Sequence, residues 1–225
     1  MRPHHRLDAA AVAALRRDMG AGPDDFVIGA VGRLHRVKGF DLLIQAFAQA
    51  RPQRAWLVIV GDGEERARLE ALCGERVVFL GYQTRAKDYY QAFDLLAVSS
   101  RDEPFSLTIL EAMDADLPNV ATAAEGPKQI LTGQPAELVP LDDVEALAAA
   151  LRRAAEARPG RVRYDLSRFP WRRGRARSRR FTNDWPQALR GKGAPHGNPQ
   201  FRDSVVDRTG YCGKIFLFDR NGYAA

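Results

Sequence analysis

The stretch "RDEPFSLTILEAM" sets two carboxylates, Glu103 and Glu111, eight positions apart, one ahead of an apolar helical run and one inside it. Carboxylates do not bind phosphate, but they accept hydrogen bonds, and sugar hydroxyls are strong donors to them. Upstream, "GRLHRVKG" offers Gly32, Arg33 and Lys38. A forked guanidinium and a compact ammonium together suit a diphosphate. On that stretch alone, two solvated basic residues are an equal alternative. "GDGEE" adds Gly61 and Gly63, which permit close backbone approach or a positive-φ turn, and Asp62, which caps the next helix or reaches a ligand. By itself this loop reads better as a tight strand–helix turn.

Such residues act together only if the chain delivers them to one place. Short apolar runs, "FVIGAVG", "AWLVIVG", "RVVFLG", "DLLAVSS", "PNVAT" and, more weakly, "AELVP", are continuous rather than alternating, as strands covered on both faces should be. Helical segments separate them. In "GFDLLIQAFAQA", Phe40, Leu43, Ile44 and Phe47 form one helical stripe, and "DDVEALAAALRRAAEA" is a helix with an Asp cap. "EERARLEALC" and "RAKDYYQAF" fit the helical period less cleanly. The alternation predicts an α/β fold, a doubly wound parallel sheet, with six units between about Phe26 and Arg158.

In such a sheet ligands bind beyond the carboxyl ends of the strands. Each stretch above follows a strand, so the loops after the first, second and fourth strands share one edge. After the fourth, Ser106 is placed as the N-cap of a helix running from Leu107 to about Ala115, with Leu107, Leu110 and Met113 partly buried. Its N-terminus offers N–H groups and the positive dipole end to an anion. After the third strand "GYQTR" borders a base through backbone groups without specific signal. After the fifth, Pro127 suits the first helical position, and Lys128 adds charge near the ligand or is simply solvated. Phosphate binders and hydroxyl binders on one edge fit a nucleotide diphosphate sugar better than a bare nucleotide. The absent G-x-G-x-x-G fingerprint argues against an ordinary dehydrogenase, and the absent acidic cluster after the first strand argues against a receiver domain.

No stretch of the 225 residues approaches the length of a membrane span, and "MRPHHRLDAA" has no apolar signal core. Cys73 and Cys212 make no metal or redox spacing, so a reduced cytoplasmic protein is expected. The net charge of +6 hints at nucleic acid until it is located. Residues 161–180 hold nine Arg against Asp165, a local +8 that exceeds the total, which leaves −2 for everything else. The basicity therefore belongs to one segment and does not describe the core.

Taken together, "VGRLHRVKGFDLLIQAFA", "VIVGDGEE", "VVFLGY" and "SSRDEPFSLTILEAM" resemble the C-terminal domain of family 4 glycosyltransferases, retaining enzymes of the GT-B fold, over about Asp24 to Arg158. The E-x7-E pair is the most specific part. The resemblance implies that Arg33 and Lys38 stabilise the donor diphosphate and that Glu111 holds the ribose hydroxyls. It implies that Glu103 contacts the transferred sugar and that the backbone N–H groups of Phe105, Ser106 and Leu107 bind sugar and phosphate oxygens. Gly32, Gly61 and Gly63 belong to the same donor site, and no metal or other cofactor is expected. The chain departs from the family at Ser106, where Gly is usual, in "EAMDADLP", with Asp114 and Asp116 unusually placed, and in a shortened "QILTGQPAELVP".

The resemblance also implies an N-terminal acceptor domain that this chain lacks. Residues 1–23 then read as a linker helix, 24–160 as the nucleotide-sugar domain, and 161–225 as a mostly disordered Arg-rich tail. The partners expected are a nucleotide diphosphate sugar and, through the missing domain, a sugar or lipid-linked acceptor in polysaccharide or lipopolysaccharide assembly. The expected location is cytoplasmic, with peripheral contact to the inner membrane face as an option. The chain alone is expected to bind a donor weakly and to transfer sugar poorly or not at all. The alternative is a non-catalytic nucleotide-sugar-binding remnant. For the tail, "PWRRGRARSRRFTNDW" stands where an amphipathic helix is usual. Shifted by one base, codons for Phe169 to Asn183 can be chosen to read as such a helix followed by a stop, so a frameshift ranks first. A basic tail for anionic lipid ranks second, and nucleic acid, without interleaved aromatics, last and not expected.

Overall fold

The computed structural model describes residues 6–167 and 169, and those up to Leu166 belong to one compact unit. The expectations for the tail beyond them, disorder and a shifted frame included, lie outside the described residues.

Each apolar run named above forms a strand: β1 Phe26–Val31, β2 Ala55–Val60, β3 Val77–Gly81, β4 Leu95–Val98, β5 Asn119–Thr122 and β6 Glu137–Val139. All pair in parallel, in the order β3-β2-β1-β4-β5-β6. This is the Rossmann-like order, and it reverses between β1 and β4. The two loops leaving those strands therefore diverge from one crevice, where ligands of such sheets bind. β1 and β4 are buried almost throughout, which is why their sequences, FVIGAV and LLAV, hold no polar side chain.

The helices are α1 Ala9–Asp18, α2 Phe40–Ala50, α3 Arg66–Glu70, α4 Ala86–Ala92, α5 Leu107–Asp114, α6 Glu125–Leu131 and α7 Val144–Ala157. The stripe Phe40, Leu43, Ile44 and Phe47 on α2 is buried in one core cluster with Leu147, Leu151 and Ala154 of α7. Each fully buried Leu or Ile there contributes roughly 1.5–3 kcal/mol. Asp143 caps α7 by accepting from the Ala146 N–H, and Asp8 caps α1 by accepting from Ala11. α1 is docked rather than loose. Met19 is buried, and the Arg16 guanidinium donates to the Ala92 carbonyl at 2.9 Å, to Asp94 at 3.0 Å and to the Asp25 carbonyl.

Three local expectations need correction. Pro127 is the third residue of α6, not the first; the helix starts at Glu125, and a first-turn N–H has no helical acceptor, so proline costs no bond there. Leu107 is 46% exposed, because it opens α5 ahead of the turns that lie on β4 and β5. Leu110 and Met113, on those turns, are fully rather than partly buried. Among the described residues, no helix is long and apolar enough to cross a membrane.

Candidate functional site

The loops after β1 and β4 lie side by side at the carboxyl edge. The first turns through a 3₁₀ segment, Arg36–Lys38, then through Gly39 at φ 63°. A Cβ at Gly39 would stand 2.1 Å from the Ser99 carbonyl oxygen, so only glycine lets the strands' exits approach this closely. Ser99 Oγ donates to the Lys38 carbonyl at 3.0 Å, and the Arg101 N–H donates to the Val37 carbonyl at 2.8 Å.

The consequence is a direct contact between two residues singled out in the sequence, 65 positions apart. Lys38 Nζ donates to Glu103 Oε2 at 2.5 Å. Ser100 Oγ donates to the same oxygen at 3.2 Å, and Glu103 is only 7% exposed. The loop is fixed from below as well: the Gly126 N–H donates to the Glu103 carbonyl at 2.7 Å, and Thr122 Oγ1 donates to the Ser100 carbonyl at 2.6 Å. The start of α6 thus supports the loop through Gly126 rather than through Lys128.

Arg33 also leaves β1 at this edge but engages the second loop. Its guanidinium is exposed and bonds Glu64 at 3.2 Å, while His35 Nε2 lies 3.5 Å from the same carboxylate. Glu64 is held below the usual carboxylate range by its own backbone N–H first, then by the charges of Arg33 and His35. Gly61 adopts φ 141°, with the position of a Cβ 1.9 Å from the Gly32 carbonyl oxygen, and at Gly63 a Cβ would meet the Leu34 carbonyl at 2.4 Å. These glycines interlock the first and second loops. Asp62 turns its carboxylate to the Gly63 N–H at 2.8 Å.

Ser106 occupies the cap position of α5 with extended backbone, but its hydroxyl makes no cap bond. It is 3.0 Å from Thr108 Oγ1 and the residue is 1% exposed. The expected side-chain cap is therefore absent, because a second hydroxyl two residues on takes the bond instead. The first-turn N–H groups of Leu107 and its neighbours receive nothing from Ser106. Glu111, one turn further on, faces α4. The Tyr90 hydroxyl donates to it at 3.2 Å, and Lys87 Nζ lies 3.3 Å away.

The structure thus joins Lys38 to Glu103 directly, while Arg33 engages Glu64 of the second loop and Glu111 engages Lys87 and Tyr90 of α4. Sequence reasoning missed Lys87, Tyr90, Ser100 and Arg101. Lys87 and Tyr90 stand three apart on α4, a spacing that places both on one helical face, and that was the available signal. Among the described residues, no group of three or more His, Cys, Asp or Glu is placed to hold a metal ion. Chemically, the edge combines cations with buried or half-buried carboxylates and an uncapped helix start. That set can hold a molecule carrying both phosphate and hydroxyl groups.

A family model described as "Glycosyl transferases group 1" matches residues 25–157. The chain is 38% identical over 144 residues to the lipopolysaccharide core biosynthesis glycosyltransferase LpsD of Rhizobium meliloti, a match covering 61% of this chain and 41% of that protein. Its fold is similar to that of Anabaena Alr3699/HepE in complex with UDP-glucose, with a TM-score of 0.62 and 30% identity over 67% of this chain and 44% of that one. It is also similar in fold to the C-terminal domain of a group 1 glycosyl transferase family protein, LpcC, from Francisella tularensis, with a TM-score of 0.55 and 24% identity over 64% of this chain and 82% of that one. The chain spans less than half the length of LpsD.

Proposed function

Because the chain belongs to the glycosyl transferases group 1 family, we propose that it is the donor-binding half of a family 4, retaining glycosyltransferase of the GT-B fold. Its donor is a nucleotide diphosphate sugar, and its products enter polysaccharide or lipopolysaccharide assembly. The observation that carries this reading is the Lys38–Glu103 contact at the crevice between β1 and β4. It sets a phosphate-binding cation against a hydroxyl-binding carboxylate at the point where such a sheet takes its ligand.

In this reading the diphosphate lies over Arg33, Lys38 and the start of α5. Backbone N–H groups of Phe105, Ser106 and Leu107 bind phosphate and sugar oxygens. Glu103 accepts from the transferred sugar, and Glu111 accepts from the ribose. Gly32, Gly61 and Gly63 serve the donor site through the loop backbone, the absence of a Cβ at Gly61 and Gly63 letting the first and second loops interlock beneath it. Lys38 has three N–H donors, so it serves a phosphate oxygen without releasing Glu103. As the glycosidic bond breaks, its electron pair leaves with the diphosphate. Arg33 and Lys38 then bind a growing negative charge and act more strongly in the transition state than in the ground state. The acceptor site belongs to the N-terminal half of the GT-B fold, and the two halves work at the cytoplasmic face of the membrane that carries the acceptor. LpsD is named for lipopolysaccharide core biosynthesis, and the HepE structure holds UDP-glucose; the first supports the pathway and the second the donor class proposed here.

A second reading is donor binding without transfer. The test is a thermal-shift panel of UDP-, GDP- and ADP-glucose on the chain, with Glu111→Ala and Arg33→Ala beside it. One nucleotide sugar should raise the melting temperature by mass action, and either substitution should erase the shift. No shift with any of the three would sink the proposal. A radiolabelled-sugar transfer assay separates the two readings once an N-terminal half is supplied, since only a catalytic half restores turnover.

A further inference from the structure

Arg101 stands outside the donor contacts assigned above, two residues before Glu103, yet its guanidinium is almost fully engaged. One terminal nitrogen donates to the Arg36 carbonyl at 3.0 Å and to Asp41 Oδ1 at 2.8 Å; the other donates to Asp41 Oδ2 at 3.0 Å. Nε donates to Asp142 Oδ1 at 2.9 Å. Four of its five N–H groups are thus in use. The backbone N–H of the same residue donates to the Val37 carbonyl at 2.8 Å.

This is more than a surface ion pair, which is worth little. Asp41 is 8% exposed at the first turn of α2, and the fork meets it with two parallel bonds. Lys38 closes a three-residue 3₁₀ turn and Glu103 lies in a loop, so neither is fixed by a regular element of its own. Arg101 links them. Its main chain leads into Glu103, and both its main chain and its side chain hold the turn that carries Lys38.

We propose that Arg101 is a positioning residue for the donor site: its fork locks turn 36–38 onto Asp41, so that Lys38 stands over Glu103 where the diphosphate arrives. This rests on the donor-binding reading above. Arg101 touches no donor atom and acts through Lys38. Lysine at this position keeps the charge beside Asp41 but has one nitrogen on a flexible stem, and cannot span acceptors on α2, the turn and Asp142 together.

The experiment is a double-mutant cycle on affinity, measured by titrating UDP-glucose (or the GDP or ADP analogue, if that gives the larger thermal shift) into the full chain. Arg101→Lys should weaken binding roughly tenfold, and Arg101→Lys with Lys38→Met should bind no worse than Lys38→Met alone. Asp41→Asn, which keeps the guanidinium but removes the charged acceptor of its fork, should weaken binding in the same direction. It too should add nothing to Lys38→Met, and it stands in if Arg101→Lys fails to fold. Losses that multiply, or wild-type affinity in Arg101→Lys or Asp41→Asn, would overturn the positioning role while leaving donor binding intact. A wild-type chain that binds none of the three nucleotide sugars would overturn both.

Discussion

Lys38→Met would leave Glu103, 7% exposed, with the Ser100 hydroxyl as its remaining described side-chain partner. A buried carboxylate deprived of its cation keeps its desolvation cost, so the substitution should lower stability by about 1–3 kcal/mol in urea unfolding. Glu103→Gln added to it should recover part of that loss, since a neutral amide costs less to bury. An unchanged urea midpoint in Lys38→Met would mean that the contact is a solvated pair of no consequence. Lys38 and Glu103 were legible in the sequence because each sits at a fixed offset from a strand end, and topology does the rest. Arg101 was not legible. Its guanidinium's acceptors are one backbone carbonyl and two acids from distant stretches, and nothing about an Arg in a polar loop announces four bonds. Glu111 was legible as a carboxylate on a helix, but its attachment to Lys87 and Tyr90 depended on how α4 rotates against α5.

At the scale of elements, the Asp41–Arg101 clamp makes stability depend on pH. Burial would raise the Asp41 pKa, but the hydrogen bonds and charge of Arg101 outweigh it, and the folded value lies below the ordinary 3.8. The unfolded chain therefore binds the proton first as pH falls. The clamp's contribution is complete above about pH 4 and is lost as pH drops through the lower folded value. Urea midpoints at pH 7, 5, 4 and 3 should fall at the acid end for the wild type. Asp41→Asn should start lower at pH 7 and show a shallower acid decline; parallel curves would contradict the assignment.

The strands and most helices were readable because buried parallel strands are continuous apolar runs and α2 carries a clean helical stripe. The cap of α5 and the start of α6 were misread because both depend on hydrogen bonds to neighbours. For Ser106 the competitor is Thr108. For α6, whose Gly126 N–H goes to the Glu103 carbonyl, it is the loop itself.

At the scale of the molecule, the chain on either side of the sheet closes onto one corner. The Arg161 guanidinium donates to the carbonyls of Tyr90, Gln91 and Phe93, at 3.0, 2.6 and 3.0 Å, and burial lowers its pKa. Tyr164 donates to the Leu117 carbonyl at 2.9 Å and accepts from Asn119 at the same distance; burial is the main reason that its phenol is pushed up to about 12. A chain ending at residue 169 keeps all of these bonds and is the reference for truncation. One ending at residue 160 should melt several degrees lower, in line with roughly 1 kcal/mol per lost carbonyl bond. Equal melting temperatures would show that residues 161–166 contribute nothing to the fold. Sequence composition hid this segment, because Arg161, which caps α4, opens an Arg-rich run and reads there as one charge among nine.

The measurement that bears most directly on the whole account is a crystal structure of the chain grown with UDP, or with whichever nucleoside diphosphate gives the largest thermal shift. The expected result is the diphosphate within hydrogen-bond distance of Arg33 and Lys38 at the start of α5, with ribose hydroxyls on Glu111. A nucleotide bound elsewhere, with the β1–β4 crevice empty and the Lys38–Glu103 contact unchanged, would contradict the account.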